Sequence, residues 1–177
     1  MRLKLLSRFF KKSLQTPVRV RESAAVVRSA QRDDWYGVIE LIEAYRRRRP
    51  SDAEEVSYLG AAYFALERYE DIVVEFQRLS AAGNREALEA LRPYFASALL
   101  WLERNQEALD QFEKMEPIDA TPAHRALRNW NHAIALHRVG RTEEARVLLI
   151  SELDADWPRP EYEQARSLLS SMGVPVH

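Results

Sequence analysis

Residues 56–76 decide the reading of this chain: Val56-Ser57-Tyr58-Leu59-Gly60-Ala61-Ala62-Tyr63, then the polar pair Glu67-Arg68, then Tyr69-Glu70-Asp71-Ile72 and Phe76. Apolar residues return at three- and four-residue intervals on both sides of the polar pair, which places them on one face of each of two helices. The second half of this pattern recurs along the chain. Tyr69-x2-Ile72-x3-Phe76 has counterparts in Trp35-x2-Val38-x3-Ile42, Asn105-x2-Ala108-x3-Phe112 and Thr142-x2-Ala145-x3-Leu149. Upstream of each, Val26, Gly60, Ala96 and Ala133 hold one register with residues of modest size, and Ser29, Tyr63, Leu99 and Leu136 follow three residues later.

Each unit therefore reads as two helices joined by a short polar turn: Arg32-Asp33-Asp34, Glu67-Arg68, Glu103-Arg104-Asn105 and Gly140-Arg141-Thr142. Gly140 is the usual left-handed stop, and Thr142 looks like the start of the next helix. Pro50, Gly83, Pro117 and Pro158 punctuate the unit ends, as helix-stopping residues do. The small residue in the first helix predicts close approach of its partner, with Gly60 the tightest point. Pro93 falls inside the third unit's first helix, where it would remove a donor and crowd the preceding turn. Either a helix over residues 86–91 kinks there or the repeat helix begins at Pro93; because proline is tolerated in a first turn, the expectation is the late start.

The pattern resembles the tetratricopeptide (TPR) family, whose signature is W-x2-L-G-x2-Y…A-x3-F…P. Residues 56–76 supply Leu59-Gly60, Tyr63, Tyr69 and Phe76, with Val56 and Ile72 departing from the tryptophan and alanine of the motif. The third unit offers Ala96, Ala108 and Phe112, the fourth Ala133, Gly140 and Ala145, and the first keeps its second helix and Pro50. The resemblance covers about residues 22–157 and implies an all-α fold, a right-handed helix-pair solenoid of four TPR-like repeats. Residues 158–177, with Pro160-Glu161-Tyr162 through Leu168-Leu169 and a stop at Gly173, read as a C-terminal capping helix and tail, since a helical stack must cover its last apolar face.

The resemblance also implies that first helices line a concave groove. The outward register positions are then Tyr58, Ala61, Phe64 and Ala65; Tyr94, Ser97, Leu100 and Trp101; and Trp130, Asn131, Ile134, His137 and Arg138. From these the partner-binding candidates are Tyr58, Phe64, Tyr94, Trp101, Trp130, Ile134, His137 and Arg138. An aromatic, apolar groove suits an amphipathic helix or an extended apolar segment, although an aromatic stripe at helical spacing is also how a core looks. The family's clamp for acidic C-termini, made of Lys, Asn and Arg, is replaced by Ser23, Val27, Tyr58, Ala90 and Tyr94; a co-chaperone for such tails is not expected.

Composition sets the remaining bounds. The chain has 177 residues, 46% of them hydrophobic and 30% charged, with 5 glycines; its Ala, Leu, Glu and Arg favour helix. No cysteine is present, which excludes disulfides, thiolate metal sites and thiol catalysis. The net charge of −1 hides an asymmetry. Residues 1–21 carry seven basic and no acidic residues, and the rest of the chain carries −8. Within this arm Arg2, Lys4, Arg8, Lys11 and Lys12 alternate with Leu3, Leu5, Leu6, Phe9, Phe10 and Leu14, a basic amphipathic pattern. It can lie on an anionic membrane, pack on the body or meet a partner. Its apolar residues are interrupted by charge, so it does not read as a signal peptide. Arg46-Arg47-Arg48-Arg49 reads as a solvated helix end complementing the macrodipole.

Catalysis finds no support in the motifs. His132 and His137 are five residues apart and diverge around a helix, no phosphate loop or nucleophile motif is present, and the pairs Asp33-Asp34, Glu54-Glu55 and Glu143-Glu144 suit turns and helix starts. The expectation is a non-catalytic protein-interaction module without cofactor or metal. It would be a small bacterial, cytoplasmic adaptor or scaffold for a protein or peptide partner. Two other readings stay open: a chaperone shielding an apolar segment of a secretion or membrane-complex client, and an assembly factor peripheral to the inner face of a membrane through its basic arm. Nucleic acid is not expected of an acidic body.

Overall fold

The computed structural model describes residues 21–115, 122–153 and 159–173. Among them nine α-helices and no strand are found: α1 (Arg21–Gln31), α2 (Trp35–Arg46), α3 (Ala53–Ala65), α4 (Tyr69–Ala81), α5 (Arg85–Trp101), α6 (Asn105–Glu113), α7 (Pro122–Arg138), α8 (Thr142–Leu153) and α9 (Arg159–Ser171). None is long and apolar enough to cross a membrane. The chain divides within α5 into two compact units, Met1–Ala98 and Leu99–His177. The basic arm candidates Arg2, Lys4, Arg8, Phe9, Phe10, Lys11 and Lys12 lie outside the described residues, as do Pro117 and Pro158.

In the first unit α1 packs on α2 and α3, α2 on α3, and α3 on α4. The register positions read from the sequence are interior: Val26, Val38, Ile42, Ile72 and Ala96 are fully buried. In the second unit α6 packs on α7, α7 on α8, and α9 against both α7 and α8. Leu99, Ala108, Phe112, Ala133, Ala145 and Leu149 are all buried there. Gly60 is a point of close approach, because a Cβ at this position would stand 2.7 Å from both Leu91 Cδ1 and Tyr94 Cδ2 of α5.

Five inter-helix turns share one geometry, four of them within the helix pairs read from the sequence and one, at Gly83, between two pairs. Asp33, Glu67, Gly83, Glu103 and Gly140 each adopt positive φ, at 60, 58, 66, 61 and 87°. In each case the next residue donates its N–H five residues back: Asp34 to Ser29, Arg68 to Tyr63, Asn84 to Leu79, Arg104 to Leu99 and Arg141 to Leu136, at 2.8–3.2 Å. This is the Schellman closure, which satisfies carbonyls that a helix end leaves open. Three of these five left-handed positions are not glycine, so backbone strain is accepted there to keep the turn.

After three of these turns the arginine opening the next helix pairs with a carboxylate three residues on: Arg68–Asp71, Arg104–Glu107 and Arg141–Glu144, with N–O distances of 2.6–2.7 Å. In the first turn Asp34 instead caps α2 by accepting from the Gly37 N–H at 2.9 Å. Solvent screening leaves exposed ion pairs little weight in stability; their placement at the same point of three turns is the informative feature.

The third unit's first helix does not begin at Pro93. Helix α5 runs unbroken from Arg85 to Trp101 with Pro93 inside it. The first turns are held by burial, with Ala87 and Leu91 at 1% and 0% exposure. Arg92, which the following proline would push out of helical geometry, is fixed by two bonds to the Glu89 carboxylate at 2.7 and 2.8 Å, and its guanidinium lies 5.5 Å from the Phe76 ring centre. Phe76 in turn stacks on Phe95 at 3.8 Å. Side-chain anchoring on both sides of the proline offsets the missing hydrogen bond.

Candidate functional site

The groove candidates separate by unit. In the first unit α3 is covered on all sides: from Glu55 to Ala65 only Ser57 and Phe64 are less than buried. A helix that packs against several neighbours at once has no outward face. Tyr58, read as a groove residue, is 6% exposed, and Ala61 and Ala65 are buried with it. Burial and the nearby Glu54 charge push the Tyr58 phenol up to about 12. Tyr94 is half-buried and hydrogen-bonded with Ser57; burial raises its phenol, and that bond partly opposes the rise. Phe64 is half-buried and meets Tyr69 edge-on at 5.3 Å. Tyr58 is a packing residue here, and the outward assignment of α3 is corrected.

The second unit keeps more of the expected surface. On α7, Trp130, Ile134, His137 and Arg138 stand at i, i+4, i+7 and i+8 and so share one helical face. The first three are half-buried and Arg138 is exposed, whereas their neighbours Asn129, Asn131, Ala133, Ala135 and Leu136 are buried. The polar members are fixed. Arg138 Nη1 donates to the Leu100 carbonyl at 2.9 Å, which ties α7 to the end of α5 beside Trp101, itself half-buried. His137 Nδ1 lies 3.1 Å from the Thr142 hydroxyl. The indole nitrogen of Trp130 is covered and makes no hydrogen bond to the described residues. Ser97, Leu100 and Asn131, also read as outward, are buried. The structure therefore joins Trp130, Ile134, His137 and Arg138 on α7, with Trp101 next to the residue that Arg138 holds.

On α6, α7 and α8 a second feature appears, an open cleft of about 470 Å3 lined by His132, Leu136, Val147 and Leu148. Arg141 closes one side by bridging Glu113 and Glu144, both at 2.6 Å. His132 stacks on Phe112 with ring centres 5.5 Å apart. Burial, helped by Arg128 and Arg141 and opposed by Glu113 and Glu144, lowers its pKa below the ordinary 6.5. A histidine that resists protonation in the folded state binds more protons when unfolded. It contributes stability that is present above about pH 6.5 and lost as the pH falls through the lower folded value. His132→Phe is expected to flatten this acid slope in melts recorded between pH 7 and 5; an unchanged slope would remove His132 from the account.

The arginine run is more than a solvated helix end. Arg46 bonds Glu75 and also Glu43 and the Ser51 hydroxyl, the last two at 2.9 Å. Arg49 forks onto Glu55 at 2.6 and 2.9 Å. Glu75 and Glu55 are 5% and 1% exposed, and Arg78 adds two bonds to Glu75 at 2.8 and 3.0 Å. Only Arg47 and Arg48 answer the solvated description. Glu55 was readable as the far end of a capping box, Asp52-x2-Glu55, whose reciprocal bonds measure 2.9 and 3.3 Å. Nothing in the local sequence marks Glu75 as the seat of two arginines.

No group of three or more His, Asp or Glu side chains poised to hold a metal is found among the described residues. No family model, curated protein or solved structure matches the chain. The class that can be stated is that of an all-helical protein.

Proposed function

We propose that the chain is a non-catalytic protein-interaction module built from TPR-like helix pairs, and that the Trp130–Ile134–Arg138 face of α7 receives an amphipathic helix or extended apolar segment of a partner protein. The observation that carries this reading is the contrast between two first-position helices. Apart from Phe64, which is half-buried and packed edge-on against Tyr69, the apolar and aromatic residues of α3 are consumed by packing, while α7 leaves both Trp130 and Ile134 partly exposed on a face whose polar end is fixed by Arg138. The repeat reading is supported by the arginine–carboxylate pair that recurs after the turns at Glu67, Glu103 and Gly140 and by interior placement of the register positions. A cysteine-free composition suits the reducing interior of a cell.

Large side chains near the centre of an interface supply most of its binding energy, about 2 kcal/mol or more each on truncation. Trp130→Ala and Ile134→Ala are therefore expected to weaken partner capture at least tenfold while lowering the melting temperature by only a few degrees. If both variants lose stability and their folded fraction still captures the partner at full strength, these residues are core and the face lies elsewhere.

A further inference from the structure

Apart from the α7 face, the first unit carries a cleft of about 450 Å3 where the end of α2 meets the end of α4. Arg46, Arg47, Arg48, Arg49, Arg78 and Asn84 are among its lining residues. The guanidinium groups of Arg46 and Arg49 are engaged by Glu75 and Glu55, which anchors the two ends of the arginine run. Arg47 and Arg48, the two residues between them, are exposed, and their side chains make no ion pair or hydrogen bond with the described residues. Arg78 reaches Glu75 through Nε and Nη2, leaving Nη1 uncommitted and its side chain 52% exposed. Asn84 uses its side-chain oxygen to accept from the Ala87 N–H at 3.2 Å, which leaves its amide donors available. The cleft thus has donors on three separate segments and guanidinium charge in excess of its carboxylates.

We propose that this cleft binds a multiply charged phosphate group through Arg47 and Arg48, with Arg78 and Asn84 completing the cradle. Guanidinium forks pair with carboxylates and phosphates alike, and the placement of the donors decides between them. A planar carboxylate offers two oxygens in one plane, and the chain already meets that demand from within through Glu75 and Glu55. Donors coming from the end of α2, from α4 and from the turn before α5 suit a tetrahedral group with three terminal oxygens. Two adjacent uncompensated arginines suit a ligand with more than one negative charge. Pinning the flanking arginines on buried carboxylates reduces the ordering that binding would otherwise require.

The test is calorimetric titration of the full chain with inorganic pyrophosphate, beside flotation with phosphatidylcholine vesicles with and without a phosphoinositide. Arg47→Ala/Arg48→Ala, both at exposed positions, is compared with Lys11→Ala/Lys12→Ala, which removes the same charge from the basic arm. The expected result is binding that the Arg47/Arg48 variant weakens about tenfold or more and the Lys11/Lys12 variant leaves in place. Pyrophosphate binding with that signature assigns the cleft to soluble phosphates. Flotation with that signature and no pyrophosphate binding assigns it to a lipid headgroup. No binding in either arm, equal weakening by both variants, or tighter binding of a hexaglutamate peptide than of pyrophosphate would overturn the proposal.

Discussion

Replacing Glu75 by alanine is expected to lower the stability of the fold by about 3 kcal/mol, the range found when one member of a buried ion pair is removed. Glu75 is 5% exposed and takes hydrogen bonds from both Arg46 and Arg78. Arg46, whose side chain is 13% exposed, would then keep, among the described residues, Glu43 and the Ser51 hydroxyl as partners, and its charge would remain largely out of water. The loss comes mainly from that stranded charge, because a surface attraction of the same length is worth little. Urea unfolding of Glu75→Ala beside an exposed control such as Glu40→Ala separates the two cases. The control should stay within about 0.5 kcal/mol of the parent, and a Glu75 variant as stable as the control would show that Arg46 finds other compensation.

The second large effect is expected at Gly60. Gly60→Leu should cost about 1–3 kcal/mol or more through overpacking, although glycine is itself unfavourable inside a helix by about 1 kcal/mol relative to alanine. The collision wins over the propensity gain because the first added carbon already sits 2.7 Å from Leu91 Cδ1 and from the Tyr94 ring. Leu91 is fully buried and cannot swing into solvent. A chemical denaturation midpoint that rises or stays put in Gly60→Leu would mean that α3 and α5 can part without penalty, against the close packing described.

Gly60 also shows what was legible from the letters. Helix faces announce themselves by three- and four-residue spacing, so Val38, Ile72, Ala108 and Ala145 could be aligned and all four are fully buried. The turns were legible in position, because polar residues and Gly140 interrupt the spacing there. The left-handed conformation of Glu67 and Glu103 was not, since glutamate carries no preference for it. Pro93 misled because a local rule about proline met burial of Ala87 and Leu91 and the Glu89–Arg92–Phe76 anchor, which are tertiary facts. Tyr58 misled for a related reason: a face can be assigned from register, but whether another helix covers it depends on how many neighbours α3 has. The Arg46–Glu75 pair spans 29 residues, a separation at which one sequence carries no signal of contact. On α7 the register did place Trp130, Ile134 and Arg138 on one partly open face.

The central claim, that this face of α7 receives a partner protein, is tested most directly by photo-crosslinking in cells. A photoreactive phenylalanine derivative is placed at Ile134 and, in a separate variant, at Val74, which is 63% exposed on α4. The account predicts a discrete crosslinked product of one defined mass from position 134, abolished by Trp130→Ala, and no such product from position 74. The same product from both positions, or none from position 134 while the protein is folded, would contradict it.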